Sequence, residues 1–404
     1  MARSLALHGE LDRPAAPRRL PFAAKGFRPF FTLGALYAVA IIPLWLAVLA
    51  GVSRPAGYLD PLSWHAHEMI FGFVVAVIAG FLLTAVGNWT QRETVVGAPL
   101  LGLAALWLLG RLAMLFSASL PRGVPAAVDL LFLPALIVVL GRPLVAAKNR
   151  RNFVLLGVLM VLFLANVAVH LDGLGLLAAG FAHRARAVAL DVVVLIILLI
   201  AGRVFPMFTR NATGAQGIRS HPALDVATVV AMAVVVVLDA VIADWRLAGV
   251  LAGLVGLLAA ARAVHWGARH SGREPLLWIL HAGYAWIVIG LLMRALAVYL
   301  PALPTSLATH AITIGGIGSL TLGMMARVSL GHSGRELATA PAMRWAFLAI
   351  LAAAFARVVL PIVVPAHYLL SLMVAGAFWL FAFAAFLVVY VPILVRPRPD
   401  GKPG

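Results

Sequence analysis

Twelve apolar runs, each close to the roughly 20 residues that a helix needs to cross the hydrocarbon of a bilayer, divide this chain almost from end to end. Their approximate limits are residues 30–51, 64–90, 98–117, 125–146, 153–171, 186–208, 222–242, 246–266, 276–299, 306–329, 343–362 and 366–394. With 63% of 404 residues hydrophobic, 11% charged and a mean hydropathy of +1.04, there is more apolar surface than a soluble domain of this size can hide. Lipid is therefore the solvent for most of the chain. The expected fold class is all-α, a polytopic bundle of twelve transmembrane helices.

The formal charge of +17 would suggest nucleic acid in a soluble protein, but the positions of the charges say otherwise. If the N-terminus is cytoplasmic, 23 Lys and Arg fall on the cytoplasmic side and five on the other, namely Arg54, Arg122, Arg184, Arg186 and Arg246. Such a split is the positive-inside signature, and with an even helix count it puts both termini in the cytoplasm. The basic residues then serve topology and contact with anionic lipid, and no nucleic-acid partner is expected. Residues 1–25 read as a basic cytoplasmic tail without a signal-peptide core, 26–395 as a single membrane domain and 396–404 as a short basic tail.

Charge inside the spans is gathered at one depth. Arg111, Arg294 and Arg357 lie in the outer halves of spans three, nine and eleven, and Glu68, Asp129 and Asp191 in the outer halves of spans two, four and six. An arginine near a helix end can snorkel to the headgroups, but carboxylates at the same depth need protein or a ligand. The stretch Asp60 to Trp89 concentrates the problem, because His65, His67 and Glu68 fall within one turn at the mouth of span two. On a regular helix, residues two apart point about 200° away from each other, so His65 and His67 serve different faces. Glu68 returns to the face of His65 and could orient its imidazole, as carboxylates do behind metal-ligating histidines.

The chain has no cysteine, which removes thiolate metal sites, iron–sulfur clusters and covalent haem attachment. His310 opens span ten on the same outer side and is followed by Gly315, Gly316 and Gly318. These glycines allow either close helix packing or room for a flat macrocycle. A haem b would need axial imidazole, small residues beside the ring and cations for its propionates, roles that His65, His67, His310 and the three arginines could fill. On the cytoplasmic side, GRVFPMFTRN (residues 202–211) and RVSLGHSGR (residues 327–335) read either as anchored helix ends or as an anion pocket with His332, Arg335 and His281. No nucleotide fingerprint, protease motif or nucleophile elbow is present.

The stretches GFRPFF (residues 26–31), WHAHEMIFGF (64–73), GFLLTAVGNWT (80–90), GRVFPMFTRN and HAITIGGIG through RVSLGHSGR resemble the NnrS family of bacterial membrane proteins, over nearly the whole chain. What the resemblance implies is a haem- and copper-containing inner-membrane protein linked to nitric oxide and nitrosative stress, with nitric oxide or a nitrosylated metal species as ligand. His65, His67, His310, His332 and His281 are the nominated metal or haem ligands, with Glu68 behind them and Asp129 and Asp191 as further buried acids. Spans six and seven hold no histidine, so a direct relative of the haem–copper oxidases or nitric oxide reductases is not expected. The sequence leaves open whether the protein turns over a substrate and whether it forms a homo-oligomer. A secondary transporter of a small solute or metal complex is the other class that twelve spans and buried charge suit, although no repeat between halves supports it.

Overall fold

The computed structural model describes residues 20–53, 57–178, 180–242 and 244–402. Most of the expected N-terminal tail and Arg54 lie outside the described residues. Among those described, the chain is helical with no strand, as it must be in lipid, where every backbone amide has to find its partner inside the same segment. The spans are Phe27–Leu49, Pro61–Thr90, Ala98–Leu115, Val124–Ala146, Arg150–Gly173, Phe181–Thr213, Pro222–Val241, Trp245–Ala263, Pro275–Tyr299, Thr305–His332, Pro341–Val363 and Pro365–Leu394. All twelve expected from the apolar runs are present.

Spans two and ten are the most enclosed of the twelve and form the centre of the bundle. Span one packs on spans two and twelve, span eight on span nine, and span nine on span ten. The glycine row of span eight explains its neighbour: a Cβ on Gly253 would lie 2.6 Å from the Cβ of Ala295, and one on Gly249 only 3.2 Å from the carbonyl oxygen of Arg294. Small residues there let spans eight and nine touch backbone to backbone, where van der Waals contact rather than hydrophobicity holds helices together. The buried Arg28 donates to the carbonyls of Leu394 and Arg396, both at 2.7 Å, so a cation from the start of span one satisfies the exposed acceptors ending span twelve.

Two irregularities prepare the site. Spans two and ten both loosen into π-helix, over Glu68–Val74 and Ala311–Gly318, directly after their histidines. Such widened turns are rare and cluster at functional sites. Span four breaks at Leu131, between Val124–Leu130 and Phe132–Ala146, because Pro134 has no amide to give the carbonyl of Leu130. Asp129 occupies the last turn before that break.

Candidate metal centre

Span two starts where it does because Asp60 caps it. The Asp60 carboxylate accepts from the amides of Leu62 and Ser63, each at 3.0 Å, and Pro61 at the first helical position supplies a suitable φ. This places His65 and His67 in the second turn with opposed side chains. His67 turns towards spans three, four and five. His65 turns towards span one, lying flat on the Trp45 indole with ring centroids 4.2 Å apart and planes 9° from parallel.

Around His67 a buried polar cluster closes. Its Nδ1 lies 2.7 Å from Glu68 Oε1, and its Nε2 lies 3.0 Å from Asn166 Oδ1 and 3.3 Å from Asp129 Oδ2. Arg111 donates to both Glu68 oxygens at 2.8 Å and also pairs with Asp129. Asn166 Nδ2 donates to Asp129 Oδ2 at 2.8 Å, which turns the amide oxygen towards His67. His170 Nε2 approaches the same Asp129 oxygen at 2.9 Å, and its Nδ1 meets the Tyr58 hydroxyl at 2.5 Å. Tyr37 completes the shell with a hydrogen bond to Glu68. Room for these groups comes from glycine: a Cβ on Gly72 would press on Tyr37 and on Arg111 Nη1, and one on Gly110 would sit 3.2 Å from Asp129 Oδ1.

Two carboxylates face one guanidinium, leaving an excess negative charge in a site where His67, Glu68, Arg111, Asp129 and His170 are all buried. His67 Nδ1 faces Glu68 and its Nε2 faces Asn166 and Asp129. A metal cation between His67 Nε2 and Asp129 would offset the excess negative charge. One ligand atom each from His67, Asp129 and His170 lies within 4.8 Å of the others. With His67 Nε2 and His170 Nε2 turned to a metal, His67 Nδ1 donates to Glu68 and His170 Nδ1 donates to the Tyr58 oxygen. Carboxylate or hydroxyl behind each imidazole is the usual way a protein fixes tautomer and ring orientation at a metal. Tyr58 lies just outside the span, and burial raises its phenol well above the ordinary value, so it stays neutral.

The other nominated residues divide between three places. His310 Nδ1 donates to the carbonyl of Ser306 at 2.7 Å, leaving Nε2 as its free nitrogen. His65, His310 and Arg357 are close enough to act on one another electrostatically. Within this second group His65 Nδ1 and Arg357 Nη1 are buried with no hydrogen-bond partner among the described residues. Arg294 is held by Asp191 at 2.8 and 3.0 Å and by Asp239, so it and Arg111 are committed to carboxylates. His281 bonds Thr209 at 3.0 Å, and His332 lies against Phe27 while its carbonyl accepts from Arg398, both remote in sequence and contacts from the mouth of span two. Glu68 does not orient His65, the partner its spacing indicates; it is drawn to Arg111 and the adjacent His67 at the start of the π-helical segment.

A family model described as NnrS protein matches residues 21–398. The chain belongs to the NnrS family. No curated protein matches it. The NnrS match includes the residues of both the His67 cluster and the His65 group. His170 and Asn166 were not singled out from the sequence, although their spacing of four on span five puts them on one helical face, a signal that could have found them.

Proposed function

We propose that this NnrS-family membrane protein holds a transition metal on His67, Asp129 and His170 and uses it in the cell's response to nitric oxide. The observation that carries the reading is the convergence of two imidazoles and a carboxylate, with Glu68 and Tyr58 behind the imidazoles, in a buried cluster. Imidazole suits copper, the metal that the family resemblance implies, and two histidines with one carboxylate are also the facial set of non-haem iron(II). A single positive charge would offset the excess carboxylate of the cluster, whereas a dication would leave it with one positive charge.

The family's haem belongs, in this reading, to the second group. His65 and the remaining nitrogen of His310 supply imidazole, and Arg357 is the one of the three candidate arginines without a carboxylate partner among the described residues. The span-ten glycines are not where the ring lies: a Cβ on Gly315 would meet the Trp286 indole at 2.5 Å, and one on Gly316 would meet Ile287 at 2.3 Å. Those glycines serve packing.

When bound, such a centre supplies a site at which nitric oxide can coordinate and exchange an electron. The chain does the rest. Glu68 and Tyr58 hold the two imidazoles in one tautomer, Arg111 fixes both carboxylates, and Trp107, which donates to the Gly72 carbonyl at 3.1 Å, closes the wall of the cluster against span two. By the positive-inside count the centre lies towards the periplasmic side of the inner membrane, with both termini cytoplasmic.

Metal analysis and absorption spectroscopy of purified protein test this. Wild type is expected to carry copper and a Soret band, His170→Ala to lose the copper and keep the haem, and His310→Ala to do the reverse. Full copper in His170→Ala and Asp129→Asn, with both variants folded, would overturn the assignment of the first site.

A further inference from the structure

Two cavities lie end to end between spans one, two, six and ten. The larger has room of about 100 Å³ and the smaller about 30 Å³, and both are bounded by Val74, Val193 and Ile317. The larger runs from Val74, Val193 and Ile317 at one end to Phe31, Leu82, Phe205 and Met324 at the other, and the smaller is closed by Met69, Thr313 and Trp379. From Leu82 to Met69 this covers about 20 Å along span two. Met69 follows His65 by one turn and Thr313 follows His310 by three residues, so the smaller cavity ends about one helical turn from the second histidine group, which does not itself line it.

The lining decides what can occupy this space. Apart from Thr313, Thr321 and the thioethers of Met69 and Met324 the walls are hydrocarbon and aromatic; Thr321 donates its hydroxyl to the Gly318 carbonyl at 3.0 Å and the Trp379 indole N–H is taken by the Ala38 carbonyl at 3.1 Å. A cavity without two to four polar partners for a water stays dry, and ions are excluded more strongly still. The walls towards the lipid are formed by Ile78, Phe81, Ile197 and Ile200, which are only half-buried, so the larger cavity opens sideways at mid-bilayer depth rather than to water at either end. An uncharged apolar solute that already dissolves in hydrocarbon can enter there. The neck at Val74, Val193 and Ile317 then limits it by size. Both spans carrying the histidines are π-helical beside the smaller cavity, which widens their turns at this level.

We infer that these cavities form a dry passage by which a small uncharged diatomic gas moves from the bilayer interior to the His65–His310 group. The inference rests on the proposed function for the identity of the gas, but the passage itself does not. It gives lipid-dissolved ligand a route to the site that water, protons and anions do not share.

Xenon is the probe, because it reports apolar, gas-accessible space whether or not a metal is bound. Crystals of the full-length protein pressurised with xenon are expected to show it in both cavities. Val193→Phe, which places a ring in the shared neck, should remove xenon from the neck and the smaller cavity, with Ile317→Phe as a second obstruction from the opposite wall. Each variant is checked for an unchanged melting temperature. Ordered water in the neck, an acyl or isoprenoid chain filling the larger cavity, or xenon unchanged in both variants would overturn the passage. If xenon binds as described but nitric oxide leaves the spectrum of the metal-loaded protein unchanged, the passage stands and the functional reading falls.

Discussion

Tyr58 is the residue whose role is most easily separated from its neighbours. Its hydroxyl meets His170 Nδ1 and lies 3.4 Å from Met114 Sδ, and it carries no charge in the cluster. Tyr58→Phe therefore removes a group that orients a metal ligand while leaving Glu68, Arg111 and Asp129 in place. Loss of such a supporting bond typically weakens metal binding about 10- to 100-fold, and competition with a chelator of known affinity would measure it. An unchanged affinity would mean that His170 is not a ligand. Asp60 offers a test of a different kind, since it lies at the water-facing start of span two. Burial pushes its carboxyl up, but the Ser63 hydroxyl and amide, with help from Arg186, hold it below the ordinary 3.8. A carboxyl lowered in the folded state stabilises it above the unfolded value, and that contribution is lost as pH falls through the folded value. The melting-temperature advantage of wild type over Asp60→Asn, whose amide still caps the helix, should be constant near neutral pH and shrink below about pH 4.

Helix packing carries the next prediction. Span eight meets span nine through Gly249, Gly253 and Gly256, and Ala295 has no flexible end to withdraw from a new side chain at position 253. Gly253→Leu should therefore separate the two spans and cost about 1–3 kcal/mol, read as a lower melting temperature in detergent, whereas a leucine at Gly102, where a Cβ meets nothing within 4 Å, should cost little. That glycine row was legible in the sequence, because a spacing of about four puts small residues on one helical face whatever the neighbour is. So were the twelve spans and the opposed directions of His65 and His67, which follow from helical period alone. The pairing of the charges was not. Arg111 and Arg294 look equally free in the sequence, and which carboxylates take them depends on how each helix is rotated about its axis. Nor does periodicity reveal that Glu68 sits where span two turns π-helical, which is why its spacing from His65 pointed to the wrong imidazole.

On the scale of the molecule the two ends of the bundle differ in kind. By sequence the segments on one side carry 23 basic residues, and on that side Arg28 closes the end of span twelve; those on the other side carry five, and both histidine groups lie towards it. If the basic end faces the cytoplasm, the proposed metal centre lies towards the periplasmic side, and electrons for it would have to come from the membrane or periplasm. If the chain is inverted, the same centre opens to cytoplasmic thiols and reductants, which would compete for copper. The absence of cysteine makes the choice measurable without background. Ser119→Cys lies in the exposed turn between spans three and four, and Lys402→Cys lies at the exposed C-terminal end. In intact spheroplasts a membrane-impermeant maleimide should label the first and leave the second untouched, with Lys402→Cys becoming reactive only after the membrane is opened. The reverse pattern would put the His67 cluster on the cytoplasmic side and remove the periplasmic reading of its chemistry.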